Sequence, residues 1–193
     1  MWVVKLGGSL AADPLLRDWL DMLAQEGPGR VIVVPGGGPF ADQVRDAQSH
    51  WRFDEGAAHR MAILAMEQYA LMLAAIEPRL LPATRPDALY AALKRERVAL
   101  WLPAAMLARA EEIPPGWDVS SDSLAAWFAS RMSARQLVLV KSCELPGQDA
   151  SAEELSRLGV VDPAFPDYMR RGCFTTYALN RNAYPALRAM LRG

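Results

Sequence analysis

Apolar residues fall along this chain in two rhythms: short solid blocks, and longer runs that repeat every three to four positions. Trp2 to Leu6 is a short apolar block closed by glycines, and it predicts a buried strand. Asp13-Pro14 then opens a helix, with Asp13 suited to the N-cap and Pro14 to the first helical position. Leu15, Leu16, Trp19, Leu20 and Leu23 recur at helical spacing until Gly27-Pro28-Gly29 ends the run. Val31 to Val34 is β-branched throughout and predicts a second buried strand, parallel to the first.

The loop Pro35-Gly36-Gly37-Gly38-Pro39 leads into a helix to about His50. A longer helix is predicted from about Glu55 to Ile76, with Met61, Leu64, Ala65, Leu71, Met72 and Ala75 to one side. Pro78, Pro82 and Pro86 punctuate the middle of the chain. Ala88 to Arg95 reads as a helix, Val98 to Leu102 as a strand, and Pro103 to Gly116 as connecting material. Ser120 or Ser121 caps a helix to about Ser133, and Leu137 to Val140 is another apolar strand. Leu145 to Leu158 is polar with a short helical stretch; Phe174 to Tyr177 reads as a last strand and Ala183 to Leu191 as a closing helix. Strands alternating with helices predict an α/β fold around a mainly parallel sheet. Ligands of such folds sit outside the carboxyl ends of the strands.

Composition narrows the function more than the fold. The 193 residues fit a single domain, with 52% apolar and 22% charged residues. The formal net charge is -1, with both signs interspersed, so neither a nucleic acid nor an anionic membrane is an expected partner. Cys143 and Cys173 form no disulfide framework. No signal-peptide pattern and no long apolar run is present, so a cytoplasmic protein is expected. His50 and His59 are off a zinc spacing, and no metal ligated by side chains is expected.

Three stretches carry candidate chemistry. In Lys5-Leu6-Gly7-Gly8-Ser9 a lysine ends a strand and two glycines follow, which brings a cation and backbone N–H groups to one turn. Gly36-Gly37-Gly38 lies between a strand and a helix; a simple turn needs one glycine, and an anion cradle at a helix N-terminus uses more. Ser120-Ser121-Asp122-Ser123 places a carboxylate at a helix start. Gly36-x-Gly38-x-x-Ala41 also fits a loose dinucleotide fingerprint, but Asp54 and Glu55 follow no strand.

Taken in order, these stretches resemble the amino acid kinase superfamily, which includes acetylglutamate kinase, aspartokinase and uridylate kinase. Val4 to Ser9 looks like its opening lysine motif, Val34 to Ala41 like its glycine-rich acceptor loop, and Ser121 to Ala126 like its central aspartate motif. The stretch His59 to Tyr69 and the segment Gly159-Val160-Val161-Asp162-Pro163 resemble the small kinases of methanofuran-type cofactor synthesis. The resemblance implies a three-layer αβα sandwich of the carbamate kinase-like fold, with an acceptor-side lobe of about 1–115 and a nucleotide-side lobe of about 116–193. It implies transfer of the γ-phosphoryl group of ATP, with Mg²⁺, to a small acidic acceptor, such as an aminomethylfuran phosphate. It also implies a homodimer or higher homo-oligomer.

By the same resemblance Lys5 and Asp122 are the catalytic pair, and Lys5, Gly7, Gly8, Ser9 and Lys141 hold the ATP phosphates. Gly36, Gly37, Gly38, His59 and Arg60 hold the acceptor. An alanine at Lys5 is expected to cut turnover severely and leave folding intact. The chain departs from larger members in lacking a late second lysine, where it has Arg170, Arg171 and Gly172. Lys141 to Gly147 replaces an aspartate-rich turn. These departures keep a non-catalytic nucleotide or anion sensor open as the second reading, with an NAD(P)-binding oxidoreductase as the third.

Overall fold

A computed structural model describes residues 1–147 and 150–193. Its strands are β1 (Trp2–Leu6), β2 (Val31–Pro35), β3 (Leu80–Ala83), β4 (Val98–Trp101), β5 (Gln136–Lys141) and β6 (Thr175–Asn180). They form one sheet in the order β3-β4-β2-β1-β5-β6, and every neighbouring pair is parallel. β2 and β4 are buried end to end and β1 from Val3 to Leu6, which is why their sequences read as largely apolar blocks.

Alternate residues of each strand feed opposite cores. Val3, Ile32, Val34, Leu137 and Leu139 face one side, and Val4, Leu6, Val33, Val138 and Val140 the other. The first side is covered by α4 (Pro86–Lys94) and α6 (Ser121–Arg131), with the short helices α5 (Ala104–Leu107), α7 (Ala152–Arg157) and α8 (Phe165–Arg170) around them. The second is covered by α1 (Leu15–Glu26) and α9 (Tyr184–Arg192). The helix α3 (Glu55–Ile76) wraps from one side to the other, giving Ile63 and Met66 to the first core and Tyr69 and Leu73 to the second. It follows α2 (Gly38–Trp51), which it meets across a left-handed Arg52. The result is the three-layer αβα sandwich expected from the sequence.

Three local readings change. Pro82 does not exclude a strand: Leu80–Ala83 pairs only with β4, and an edge strand tolerates a residue without an N–H. The segments 103–116 and 159–172 each hold a short helix too brief to show periodicity. Ser120 stands at the N-cap of α6, but its hydroxyl accepts nothing from the helix. A fourth shifts by one position: Pro14 and not Asp13 stands at the N-cap of α1, while the Asp13 carboxylate accepts from the Leu15 N–H at 2.9 Å. No helix among the described residues is long and apolar enough to cross a membrane.

Candidate active site

The carboxyl ends of β2, β1 and β5 lie side by side, with Leu6 in register with Pro35 and with Val140. β1 leads into the turn Gly7-Gly8-Ser9, β2 into the glycine triplet, and β5 ends at Lys141, while Asp122 comes to the same edge from the start of α6. Lys5 lies on the same face of β1 as Val3, towards α6.

The two glycine turns meet backbone to backbone. A β-carbon on Gly8 or on Gly36 would fall within 3.0 Å of backbone atoms of the opposite turn. Gly38 also has φ 57°, a conformation that glycine adopts without strain. Two of the glycine N–H groups are engaged within the protein: Gly7 donates to the Val140 carbonyl at 3.2 Å, and Gly36 to Leu6 at 2.9 Å. Among the described residues, the N–H groups of Gly8, Ser9, Gly37 and Gly38 find no acceptor. The donor set therefore differs from the sequence expectation. Gly7 and Gly36 provide close approach, and the unpaired donors lie at the other four positions.

Behind the turns sits a buried ion cluster. Lys5 Nζ lies 2.7 Å from Asp122 Oδ1, and Lys141 Nζ lies 2.8 Å from Asp122 Oδ2. Lys5 and Asp122 are 3% and 4% exposed, so this pair is shielded from solvent screening. Burial alone would raise the Asp122 carboxyl; the Lys5 and Lys141 ammonium groups override it and hold the carboxyl below its ordinary range. Burial depresses the Lys5 ammonium, against the pull of Asp122, and Lys141 adds to the depression. A second ammonium group, that of Lys141, thus stands at the end of β5. Sequence reading assigned Lys141 to nucleotide phosphates without its tie to Asp122.

A cavity of about 250 Å³ opens beside the turns. Gly8, Ser9, Gly37, Gly38 and His59 line it, whereas Gly7, Gly36 and Arg60 do not, and neither do Lys5, Asp122 and Lys141, which lie behind the turns. Arg60 points away as an exposed residue. Burial pushes the His59 imidazole below its ordinary value, opposed by the Gly116 backbone and helped by Arg60. Ile63, Met66, Val119 and Leu124 supply apolar walls.

Of the charged and aromatic lining residues, Asp42, Arg45 and Trp117 were not expected from the sequence. Arg45 stacks over Trp117 at 4.2 Å from the ring centroid and pairs with Asp42 at 2.9 Å. A signal existed for the first two, since positions 38, 42 and 45 share one face of a helix that starts at the glycine loop. Trp117 is fixed by its indole N–H, which donates to Gln48 at 2.6 Å, a contact across 69 positions that no local pattern encodes.

The amino acid kinase family model matches residues 1–145. The [5-(aminomethyl)furan-3-yl]methyl phosphate kinase of Methanocaldococcus jannaschii is 27% identical over 191 residues, covering 93% of this chain and 88% of that protein. Among solved structures, the uridylate kinase of Archaeoglobus fulgidus aligns with a TM-score of 0.71 at 16% identity, covering 100% of this chain and 95% of that one. The UMP kinase of Bacillus anthracis aligns with a TM-score of 0.72 at 15% identity, covering 100% and 91%. A family model spanning three quarters of the sequence and a whole-chain match of fold agree with the lysine, glycine and aspartate segments at one sheet edge: the chain belongs to the amino acid kinase family.

Proposed function

We propose that this protein is an ATP-dependent kinase that transfers the γ-phosphoryl group to a small phosphate monoester, of the kind an aminomethylfuran phosphate exemplifies. The observation that carries the reading is the buried cluster of Lys5, Lys141 and Asp122 beside a cavity edged by two glycine turns. Phosphoryl transfer asks a protein mainly for positioning and charge neutralisation. Two ammonium groups sharing one carboxylate leave a net positive charge, and unpaired N–H groups stand next to it.

An ionised phosphate oxygen of the acceptor attacks the γ-phosphorus, and the bond from that phosphorus to the β,γ-bridging oxygen breaks. The products are ADP and a diphosphate monoester. The acceptor oxygen is already ionised, so no general base is required. Lys5 and Lys141 follow the charge on the transferring group, and Asp122 orients both and keeps them charged. Gly8 and Ser9 donate to ATP phosphates, and Gly37 and Gly38 to the acceptor phosphate. Both oxygens of Asp122 are engaged by lysines, so the cluster fits a Mg²⁺ held by phosphate oxygens and water. Such an ion supplies neutralisation of phosphate charge when bound.

The relative from Methanocaldococcus jannaschii is named for a furan bearing an aminomethyl group and a methyl phosphate. A flat ring of that size suits the apolar walls, and His59 lies at the same cavity. We further propose a homodimer, built on α3, working in the cytoplasm.

The sensor reading rested on the lack of a late lysine; the Lys141 ammonium beside Asp122 supports the kinase reading in its place. The oxidoreductase reading needs an acidic residue closing the next strand, but Asp54 caps α3 by accepting from the Ala57 N–H at 2.7 Å. A coupled assay of ADP release with a panel of small phosphate monoesters tests the proposal. Acceptor-dependent release supports it, and ATP binding without release by any acceptor returns the sensor.

A further inference from the structure

We propose that Asp162 is a positioning residue of this reaction: its carboxylate fixes the first turn of α6 and so sets Asp122 and the two lysines for phosphoryl transfer. The proposal rests on the kinase reading above. The first N–H groups of a helix have no partner within it and need an outside acceptor. In α6 that acceptor comes from far along the chain. Asp162 Oδ2 accepts from the Ser120 N–H at 3.0 Å, the Ser123 N–H at 3.0 Å and the Ser120 hydroxyl at 2.7 Å. Its Oδ1 accepts from the Ser123 hydroxyl. These donors flank Asp122 on both sides.

Three of the four bonds fall on Oδ2 and one on Oδ1, so both carboxylate oxygens face the first turn of α6. Asp162 is only 8% exposed and does not line the cavity, so it does not face a substrate there. Its action is therefore indirect. The same turn has two functional faces: Ser120 and Ser121 line the acceptor cavity, and Asp122 grips Lys5 and Lys141. A shift of this turn moves both at once. Asp162 itself sits on the connection between β5 and β6, and its neighbour Ala164 donates to the Asp118 carbonyl at 3.1 Å. The segment from 160 to 165 thereby ties the part of the chain that follows Lys141 to the turn that carries Asp122.

The groups around Lys5 are Asp122 on α6, Lys141 on β5 and Asp162 on the β5–β6 connection. Asp162→Asn removes a negative charge from this set and replaces one acceptor oxygen by a donor. We expect kcat to fall roughly 10²-fold, as small misplacements of reacting groups do, with KM for ATP nearly unchanged. The alkaline limb of the kcat profile should move to lower pH, because the Lys5 ammonium loses a stabilising neighbour. Asp162→Glu, which keeps the charge, should restore the limb while kcat stays low. A variant that loses thermal stability but keeps wild-type kcat per folded molecule and an unmoved limb makes Asp162 a structural residue and overturns the proposal.

Titration of the Lys5 ammonium by NMR in wild type and Asp162→Asn needs no turnover. A midpoint moved to lower pH supports the proposal, and an unmoved midpoint overturns it. Wild type with no kinase activity sinks the functional reading alone, and this titration still judges Asp162. Should Asp162→Asn fail to fold, Ser123→Ala removes one donor and leaves the charge. A kcat reduced about tenfold supports positioning, and wild-type kcat refutes it.

Discussion

Gly8 and Gly38 meet without room for a methyl group between them: a β-carbon on Gly8 would fall within 3.0 Å of both the nitrogen and the Cα of Gly38. The obstacle is backbone on both sides, so no side-chain rotation relieves it. Gly8→Ala should push the two turns apart, at about 1–3 kcal/mol of stability. It should also cost about 10²-fold in kcat/KM, because the unpaired donors at both turns shift together. Denaturant unfolding and the coupled ADP assay measure the two effects. A variant with normal turnover would show that the apposition of the turns is incidental to function.

Lys5 and Lys141 share Asp122, and that sharing changes what their removal should do. An alanine at Lys5 no longer reads as neutral for folding. It leaves Asp122 with a single partner, at a cost approaching the ~3–5 kcal/mol typical of a broken buried pair. Lys5→Ala and Lys141→Ala should each lower kcat by about 10²–10³-fold, the range for loss of one electrostatic contact to a developing charge. Asp122→Asn should cost more stability than either, since two ammonium groups then lie beside a neutral amide. The pH dependences of stability have the same sign, in two separate windows. Asp122 titrates below its ordinary value in the folded state, so the unfolded chain binds more protons just above that point. Its stabilisation is complete above about pH 4 and is lost as pH falls through the folded value. Lys5 also titrates below its ordinary value, so stability gains as pH rises through its folded value towards about 10.4. Activity, which needs the ammonium, falls over that same range. Denaturation curves and kcat profiles across pH, compared with Asp122→Asn, check both windows.

The strands were legible because a fully buried parallel strand must be apolar on both faces, and Val31–Pro35 or Gln136–Lys141 leaves little else to read. Leu80–Ala83 was hidden by Pro82, since proline reads as a breaker unless the strand is known to lie at an edge. The site split the same way. Lys5, the glycine triplet and Asp122 each close or open a regular element, so position alone marks them. Asp162 and Trp117 act across 42 and 69 positions, and local spacing carries no trace of such contacts. Arg60 looked equivalent to its neighbour His59, but successive residues of a helix point about 100° apart.

That angular difference is testable. His59 lines the cavity proposed for the acceptor and Arg60 does not. His59→Ala should raise KM for the acceptor about tenfold, the worth of one hydrogen bond, and leave KM for ATP unchanged. Arg60→Ala should change neither. Steady-state kinetics with each substrate varied in turn decide the matter. A larger acceptor effect from Arg60 than from His59 would assign the acceptor to a different surface.

The outer side of α3 carries a seam of its own. Met61, Leu64 and Leu71 are 40%, 53% and 55% exposed, and Gln68 and Ala75 continue the line at steps of three and four. This is the spacing of a helix packed lengthwise on another helix, with Gln68 as a single polar member of the stripe. A stripe of leucine and methionine on one protomer matches the same stripe on a second copy across a two-fold axis. Wild type should therefore sediment as a dimer. Leu64→Lys with Leu71→Lys should weaken it, each leucine by about 1.5 kcal/mol or roughly tenfold in affinity for every protomer. Sedimentation velocity across a concentration series reads the outcome. A wild-type chain that stays monomeric at high concentration would mean that the seam serves another partner, and would leave the ion cluster and the cavity, which lie on other faces of the fold, untouched.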